Sequence, residues 1–396
     1  MYNTESLYYC DAYSHEFHAK IVHIKQMLKG YALILDKTCF YPEGGGQPGD
    51  SGFLDELRIV DCIKQNGIIY HLSDSLPKMQ LGDNVHGRID YERRFGFMQN
   101  HSGDHLFTGL VRKYFGCENV GFHLSERGMT IDFDAELNLA DIEKLEKMAN
   151  DAILKKIPIE INSYKFTELQ NIDFRSKRDF DEEDEIRIVK IGEYDLCACA
   201  GLHVSNTAEI GILKVVGLQR HRGGTRVSLY CGQDALWDYS IKDSQLQEIS
   251  QLISTKSHIA AEGVQRILSN QAELKQRIVA LKERINYLYL ESIERDAVAC
   301  IFEEDLNGDD MRRLASLLAE KAKLACVFCE EIPPKTGVKY TICTKSPGFD
   351  LGAFINEFNA VLQGRGGLKG ELASGAVSAD KEAILAYIEN LRRSLK

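Results

Sequence analysis

Two short segments hold the side chains best able to do chemistry: His101-Ser102-Gly103-Asp104-His105 and, farther along, Cys199-Ala200-Gly201-Leu202-His203. Histidines four residues apart on a helix stand one turn above the other on a shared face, so both can reach one ion. The second segment repeats that spacing with a thiol and an imidazole beside glycine. Three imidazoles and a thiolate are the donors a tetrahedral zinc site takes. Either pair alone is a weak sign, since an HxxxH often lies on a helix without any metal, and it is the combination that points to a metal centre. Asp104, between the two histidines, reads either as a carboxylate that orients a ligand or moves a proton, or as an ordinary helix-surface acid.

A glycine segment, Gly44-Gly45-Gly46-Gln47-Pro48-Gly49, fits the dinucleotide fingerprint by count. Pro48 interrupts it and Asp50 to Leu54 do not open a helix, so the dinucleotide reading fails; no GK[ST] stands for a P-loop either. Gly45 and Gly46 instead let backbone approach a small substrate, and Gln47 offers an amide to an aminoacyl group or a terminal adenosine. A plain hairpin turn is the other reading. Cys326-Val327-Phe328-Cys329 is a CxxC without a second pair, set in an apolar strand, which favours buried thiols over a metal or redox pair.

These groups need elements to hold them. Residues 1–90 read as short β-prone runs, such as Tyr31 to Leu35 and Arg58 to Ile63, separated by glycine turns: a small β-barrel or sandwich, of which the barrel is the one expected. Residues 91–238 mix helices, expected over 98–115 and 135–154, with strands at Ile186 to Lys190 and Thr225 to Tyr230. The acidic run Asp179 to Glu185 reads as a solvated loop. Residues 239–295 are expected to form a helical arm, the alternative being one long helix on the side of a globular domain. From Ala260 through Val264, Ile267, Gln271, Leu274, Ile278, Leu281 and Ile285 to Leu288, steps of four and three alternate, as in a coiled-coil seam or long helical hairpin. Residues 296–396 form a C-terminal α/β unit, with strands at Leu324 to Phe328 and Lys339 to Cys343 and a final amphipathic helix through Ile384, Ile388 and Leu391. The fold class expected is α+β multidomain.

Three stretches resemble one family. Phe40-Tyr41-Pro42-Glu43-Gly44-Gly45-Gly46-Gln47 with Gly49-Asp50 and Gly52 resembles its FYPEGGGQxGDxG segment. Met98-Gln99-Asn100-His101 with His105-Leu106 resembles its MQxHxxxHL segment, and Cys199 to Gly211 resembles its CGGTHVxxTGEIG segment. This is the editing domain of alanyl-tRNA synthetase and its free-standing relatives, the AlaX proteins. Gly364 to Gly367, with Glu371 to Gly375, resembles the glycine-rich DHH-associated domain of the long forms. The resemblance implies one zinc ion per chain on His101, His105, Cys199 and His203. It further implies hydrolysis of the ester joining a wrong amino acid, serine or glycine, to tRNA(Ala). The zinc would polarise the ester carbonyl or hold the substrate, with Asp104 and Gln47 as the candidate catalytic groups and Gly45, Gly46, Gln47 and Leu202 contacting substrate. If all four ligands bind, the site is closed; if His203 is loose, water or substrate takes its place. With no synthetase core ahead of residue 36, the expectation is a detached editor, or a tRNA-binding module that keeps the zinc fold without catalysis. Two departures stand out: CGGTH is CAGLH here, placing Leu202 where a threonine hydroxyl is usual, and the histidine pair encloses Asp104. An apolar wall discriminates less sharply than one that hydrogen-bonds a substrate hydroxyl, which bears on serine specificity.

Composition limits the partners. A net charge of −11 gives no broad positive field for nucleic acid, so tRNA must meet local basic groups. Those are Arg222 and Arg226, beside Lys214, Arg220 and His221, and Arg365 and Lys369 among the late glycines. Eleven cysteines, an odd number at irregular spacing, argue for reduced thiols and a cytoplasmic setting. No apolar run is long enough to span a bilayer. A homodimer through the arm or the C-terminal domain is a further expectation.

Overall fold

The computed structural model describes residues 3–395 apart from 171, 178, 182–183, 296, 305 and 331–336. The chain is a mixed α+β protein in two compact units, Met1–Glu248 and Ile249–Lys396. Two positions of the acidic run, 182 and 183, lie outside the described residues.

The first unit opens with a seven-stranded antiparallel sheet. Its spine is Glu16–Gln26, whose first half pairs with Asn84–Ile89 and whose second half pairs with Tyr31–Leu35. Period-two alternation points Phe17, Ala19 and Ile21 inward, where they meet Leu33, Leu35, Val85 and Ile89. At the other end Val60 N donates to Leu72 O at 2.8 Å and draws Leu57–Ile59 toward Ile68–Ser73, nearly closing a barrel. The run Arg58 to Ile63, read as one strand, is therefore two: Leu57–Ile59 and Asp61–Gln65, broken at Val60.

The helix Tyr91–Phe115 follows at once, and every residue from Phe97 to Val111 is buried. Its polar residues have partners there. Gln99 Nε2 donates to Glu209 O at 2.8 Å, and Asn100 accepts from Cys231 N at 3.0 Å and donates to Asp234 at 2.7 Å. Burying polar groups this way costs little because each is hydrogen-bonded. Around this helix lie the capped helix Leu139–Leu154, a four-stranded sheet, and a three-stranded sheet of Ile159–Lys165, Glu185–Ile191 and Asp195–Ala198.

The expected arm is two helices, Gly232–Leu252 and Ala260–Ser292, interrupted where Ser254 turns to positive φ. The seam residues Ile267, Leu274, Ile278, Leu281, Ile285 and Leu288 are all exposed. In the second unit the strand Leu324–Glu330 lies inside a five-stranded sheet, between Val298–Glu304 and Val338–Cys343, with helices on both faces. Cys326 points into one core and Cys329 into the other, as residues three apart on a strand must, so the CxxC holds nothing jointly. Among the described residues no helix is long and apolar enough to cross a membrane.

Candidate metal centre

The helix Tyr91–Phe115 presents His101 and His105, and the loop after the strand Asp195–Ala198 presents Cys199 and His203. One ligand atom from each of the four lies within 4.8 Å of the others. Cys199 Sγ is 3.4 Å from His101 Nε2. The three imidazoles form a ring-to-ring cluster with centroids 4.5 to 5.3 Å apart.

The orientation of each imidazole is set from its far side. His101 Nδ1 meets Gln47 Oε1 at 3.1 Å, His105 Nδ1 meets Asp195 Oδ2 at 2.9 Å, and His203 Nδ1 meets Ser102 Oγ at 3.2 Å. With Nδ1–H donating in each case, all three Nε2 atoms point inward. Metal-binding histidines are held in this way, their other nitrogen fixed by a neighbouring acceptor. His203 Nε2 is buried without a hydrogen-bond partner among the described residues. Such an orphaned nitrogen is expensive unless it ligates. The donor chemistry and this orphan both fit a zinc ion.

Electrostatics agree. Burial alone would raise the Cys199 thiol, but His101 and His105 beside it hold it well below the usual thiol value. Gly201 N adds a 3.4 Å bond to the sulfur. Burial and the two neighbouring imidazoles push His203 well below its ordinary value, which favours the neutral ligand form. Burial also disfavours charge on His105, but Cys197, Cys199 and Asp195 outweigh it and raise its value. That proton balances buried negative charge, a task a divalent cation would take over. A second group, His105, Asp195 and Cys197, is also compact. It is the poorer candidate, because both Asp195 oxygens are engaged by the Arg175 guanidinium.

Glycines make the approach. Gly44 and Gln47 close a tight hairpin, Gly44 N to Gln47 O at 3.1 Å and Gln47 N to Gly44 O at 3.0 Å. Its central Gly45 and Gly46 both have positive φ, a turn that side chains rarely allow. A Cβ on Gly46 would lie 2.7 Å from Phe122, whose ring stacks on His101 with centroids 5.3 Å apart. The hairpin tip, His101, His105 and Cys199 share the wall of a cavity of about 960 Å³.

Asp104 is no surface acid: it is 4% exposed, lies on the cavity wall, and its Oδ1 accepts from Thr108 Oγ1 at 2.9 Å. Gln47 is fully buried, and its Oε1 accepts from His101 and from Leu202 N at 3.0 Å, so it orients His101 rather than lining the cavity. Leu202, expected on the pocket wall, has its side chain in the hydrophobic core and offers only that backbone N–H. Arg226 is locked bidentate on Asp132 at 2.6 and 2.7 Å. Arg222 is exposed at the turn after Leu213–His221, and Arg365 and Lys369 are exposed on Gly364–Lys369. The sequence reading missed Asp195, Arg175 and Ser102. Only Ser102, beside His101, and Asp195, four before Cys199, stood near enough to the motifs to be suspected.

Comparison with known proteins places this centre in a family. Residues 4–93 match the family described as tRNA synthetases class II (A), and residues 186–228 match the threonyl and alanyl tRNA synthetase second additional domain. The alanyl-tRNA editing protein AlaX-L of Pyrococcus horikoshii is 30% identical over 99% of this chain and 99% of its own length. The chain belongs to the AlaX family of alanyl-tRNA editing proteins, in its long form. Alanine–tRNA ligases are similar too: that of Methanococcus maripaludis strain C6 is 27% identical over 98% of this chain, and that of Saccharolobus islandicus 33% identical over 77%. The chain spans 43% of the former's length and 34% of the latter's. Among solved structures, the C-Ala domain of Aquifex aeolicus alanyl-tRNA synthetase aligns with 25% of this AlaX chain at a TM-score of 0.21, too low to bear on its fold.

Proposed function

We propose that this AlaX protein hydrolyses the ester between serine or glycine and the 3′ end of tRNA(Ala), with one zinc ion held by His101, His105, Cys199 and His203. The observation that carries this reading is the convergence of those four donors, each imidazole fixed through Nδ1, with His101, His105 and Cys199 on the wall of one cavity. Zinc bound there would supply Lewis-acid polarisation of the ester carbonyl and hold the substrate in place.

The chain's own residues supply the rest. The hairpin of Gly45 and Gly46 brings backbone to the cavity with no side chain in the way. At about 960 Å³ the cavity falls in the range of small-molecule sites and suits an aminoacyl group with its terminal nucleoside. Asp104, on the same wall and anchored by Thr108, is the carboxylate that would orient a water toward the ester. Because Leu202 lies in the core, amino-acid choice falls to the wall around Gly46, Phe122 and Ala200 rather than to that side chain. Arg222, Arg365 and Lys369 are exposed and would meet tRNA phosphates, whereas Arg226 is committed to Asp132. The exposed seam of Ala260–Ser292 would pair with a second copy.

A panel of Ser-, Gly- and Ala-tRNA(Ala) tests the reading. Deacylation of the first two with alanine spared supports it. No deacylation with retained tRNA binding would leave a tRNA-binding module instead.

A further inference from the structure

The three imidazoles do not have equivalent supports. His101 leans on a neutral amide and His203 on a neutral hydroxyl, but His105 leans on a carboxylate. Asp195 is in turn gripped from the other side by Arg175, Nε to Oδ1 at 2.7 Å and Nη2 to Oδ2 at 2.8 Å. Asp195 is 7% exposed and Arg175 is 8% exposed, so the pair has little water to compete with it. A carboxylate behind a ligating histidine fixes its ring and strengthens the ligand. Arg175 keeps that carboxylate affordable in the interior, since a buried charge without a partner is strongly destabilising.

Arg175 is also part of the backbone that walls the cavity. Its N–H donates to Leu196 O at 2.8 Å and its O accepts from Ala198 N at 2.9 Å, stitching it beside the strand that leads to Cys199. It forms a parallel bridge with Cys197. Ser176 and Lys177 follow on the cavity wall, and Lys177 Nζ lies 5.1 Å over the Phe122 ring, the ring that stacks on His101. One residue thus touches the metal side through Asp195 and the substrate side through its own chain.

We propose that Arg175 is a positioning residue that couples the substrate wall of the cavity to the His105 ligand through the buried Asp195 carboxylate. This rests on the zinc-dependent reading above. It makes His105 the firmest of the three nitrogen ligands and predicts that metal affinity and substrate affinity fall together when the fork is lost.

The test uses the full chain with Arg175→Gln, Arg175→Lys and Asp195→Asn. Zinc affinity is measured by competition with a chromophoric chelator, KM and kcat for Ser-tRNA(Ala) at saturating zinc, and folding by thermal unfolding. Arg175→Gln is expected to weaken zinc binding by about 10-fold to 100-fold and to raise KM more than it lowers kcat. Arg175→Lys, which keeps the charge without the fork, recovers part of the metal affinity. Asp195→Asn leaves an oxygen for His105 but no charge for Arg175, and shows the same two losses. A folded Arg175→Gln protein with zinc affinity within about twofold of the parent overturns the inference, as does weakened zinc binding with KM unchanged. Should Arg175→Gln fail to fold, the same thresholds apply to Asp195→Asn. A parent protein that hydrolyses Ser-tRNA(Ala) while holding no zinc fails the underlying reading instead, and that is seen before any substitution is made.

Discussion

Gly201 is the position where a single methyl group should undo the centre. A Cβ built there overlaps the His101 ring and stands 3.2 Å from Gln47 Oε1. To reach an ordinary carbon separation of about 3.5 Å the ring must retreat by roughly 1 Å or more. It has nowhere to go: Gln47 holds Nδ1 at 3.1 Å, Phe122 stacks on its face, and Cys199 Sγ lies 3.4 Å from Nε2. Zinc–nitrogen distances tolerate only about 0.2 Å, so a ring displaced that far no longer ligates. Gly201→Ala should therefore weaken zinc binding by more than the ~10-fold to 100-fold that loss of an outer partner costs. Deacylation should fall on the order of 100-fold, the usual result of a 1 Å misplacement. Overpacking should also cost about 1–3 kcal/mol of stability, visible as a lower melting temperature in a protein that still folds. Chelator competition reads the metal and a filter assay on Ser-tRNA(Ala) reads the rate. A Gly201→Ala protein that binds zinc and turns over as the parent does would refute the placement of His101 at the metal.

Other outcomes follow from the same structure. His71 is fully buried in the barrel, its Nδ1 on Leu33 O at 3.0 Å and its Nε2 on Thr38 Oγ1 at 2.8 Å, and burial lowers its pKa to about 4. It is neutral when folded and titrates near 6.5 when unfolded, so its contribution is intact above pH 6.5 and is lost as pH falls toward 4. The loss is about 3 kcal/mol, measurable by denaturant titration across that window, and His71→Gln should flatten the slope. Arg365→Ala with Lys369→Ala should weaken tRNA binding and lower the salt dependence by about 0.9 for each phosphate contact removed, whereas Arg226→Ala should chiefly lower stability. Lys275, Arg277 and Arg284 flank the exposed seam of Ala260–Ser292, so two copies paired there would oppose like charges. Association in sedimentation should then strengthen as salt rises; association that weakens with salt would place the dimer contact elsewhere.

The cluster of His101, His105, Cys199 and His203 was legible because a helical period and a short glycine loop each fix a spacing of four, and nitrogen and sulfur donors together suit a metal. Its supports were not. Asp195, Arg175 and Ser102 come from separate parts of the chain, or point where no period can show. The long buried helix was legible only in part, since Gln99, Asn100 and Asp104 look like a solvated face until their partners are in view: Glu209 in a short turn, Asp234 on the helix Gly232–Leu252, and Thr108 one turn along the same helix. The barrel could be read from β-prone runs and turns, while the break at Val60 depends on a hydrogen bond to Leu72 that no local signal announces. Leu202 was misplaced for a related reason: a motif position gives the backbone's course, not which way the side chain turns. The arm's interruption near Ser254 falls in a stretch with no proline and weak punctuation.

The most direct measurement strips the protein with a chelator, assays Ser-tRNA(Ala) deacylation before and after zinc is restored, and counts metal per chain. One zinc per chain, with loss and recovery of activity in step with it and neither seen in His101→Ala or Cys199→Ala, is the predicted result. A stripped protein that cleaves Ser-tRNA(Ala) at the full rate would contradict it.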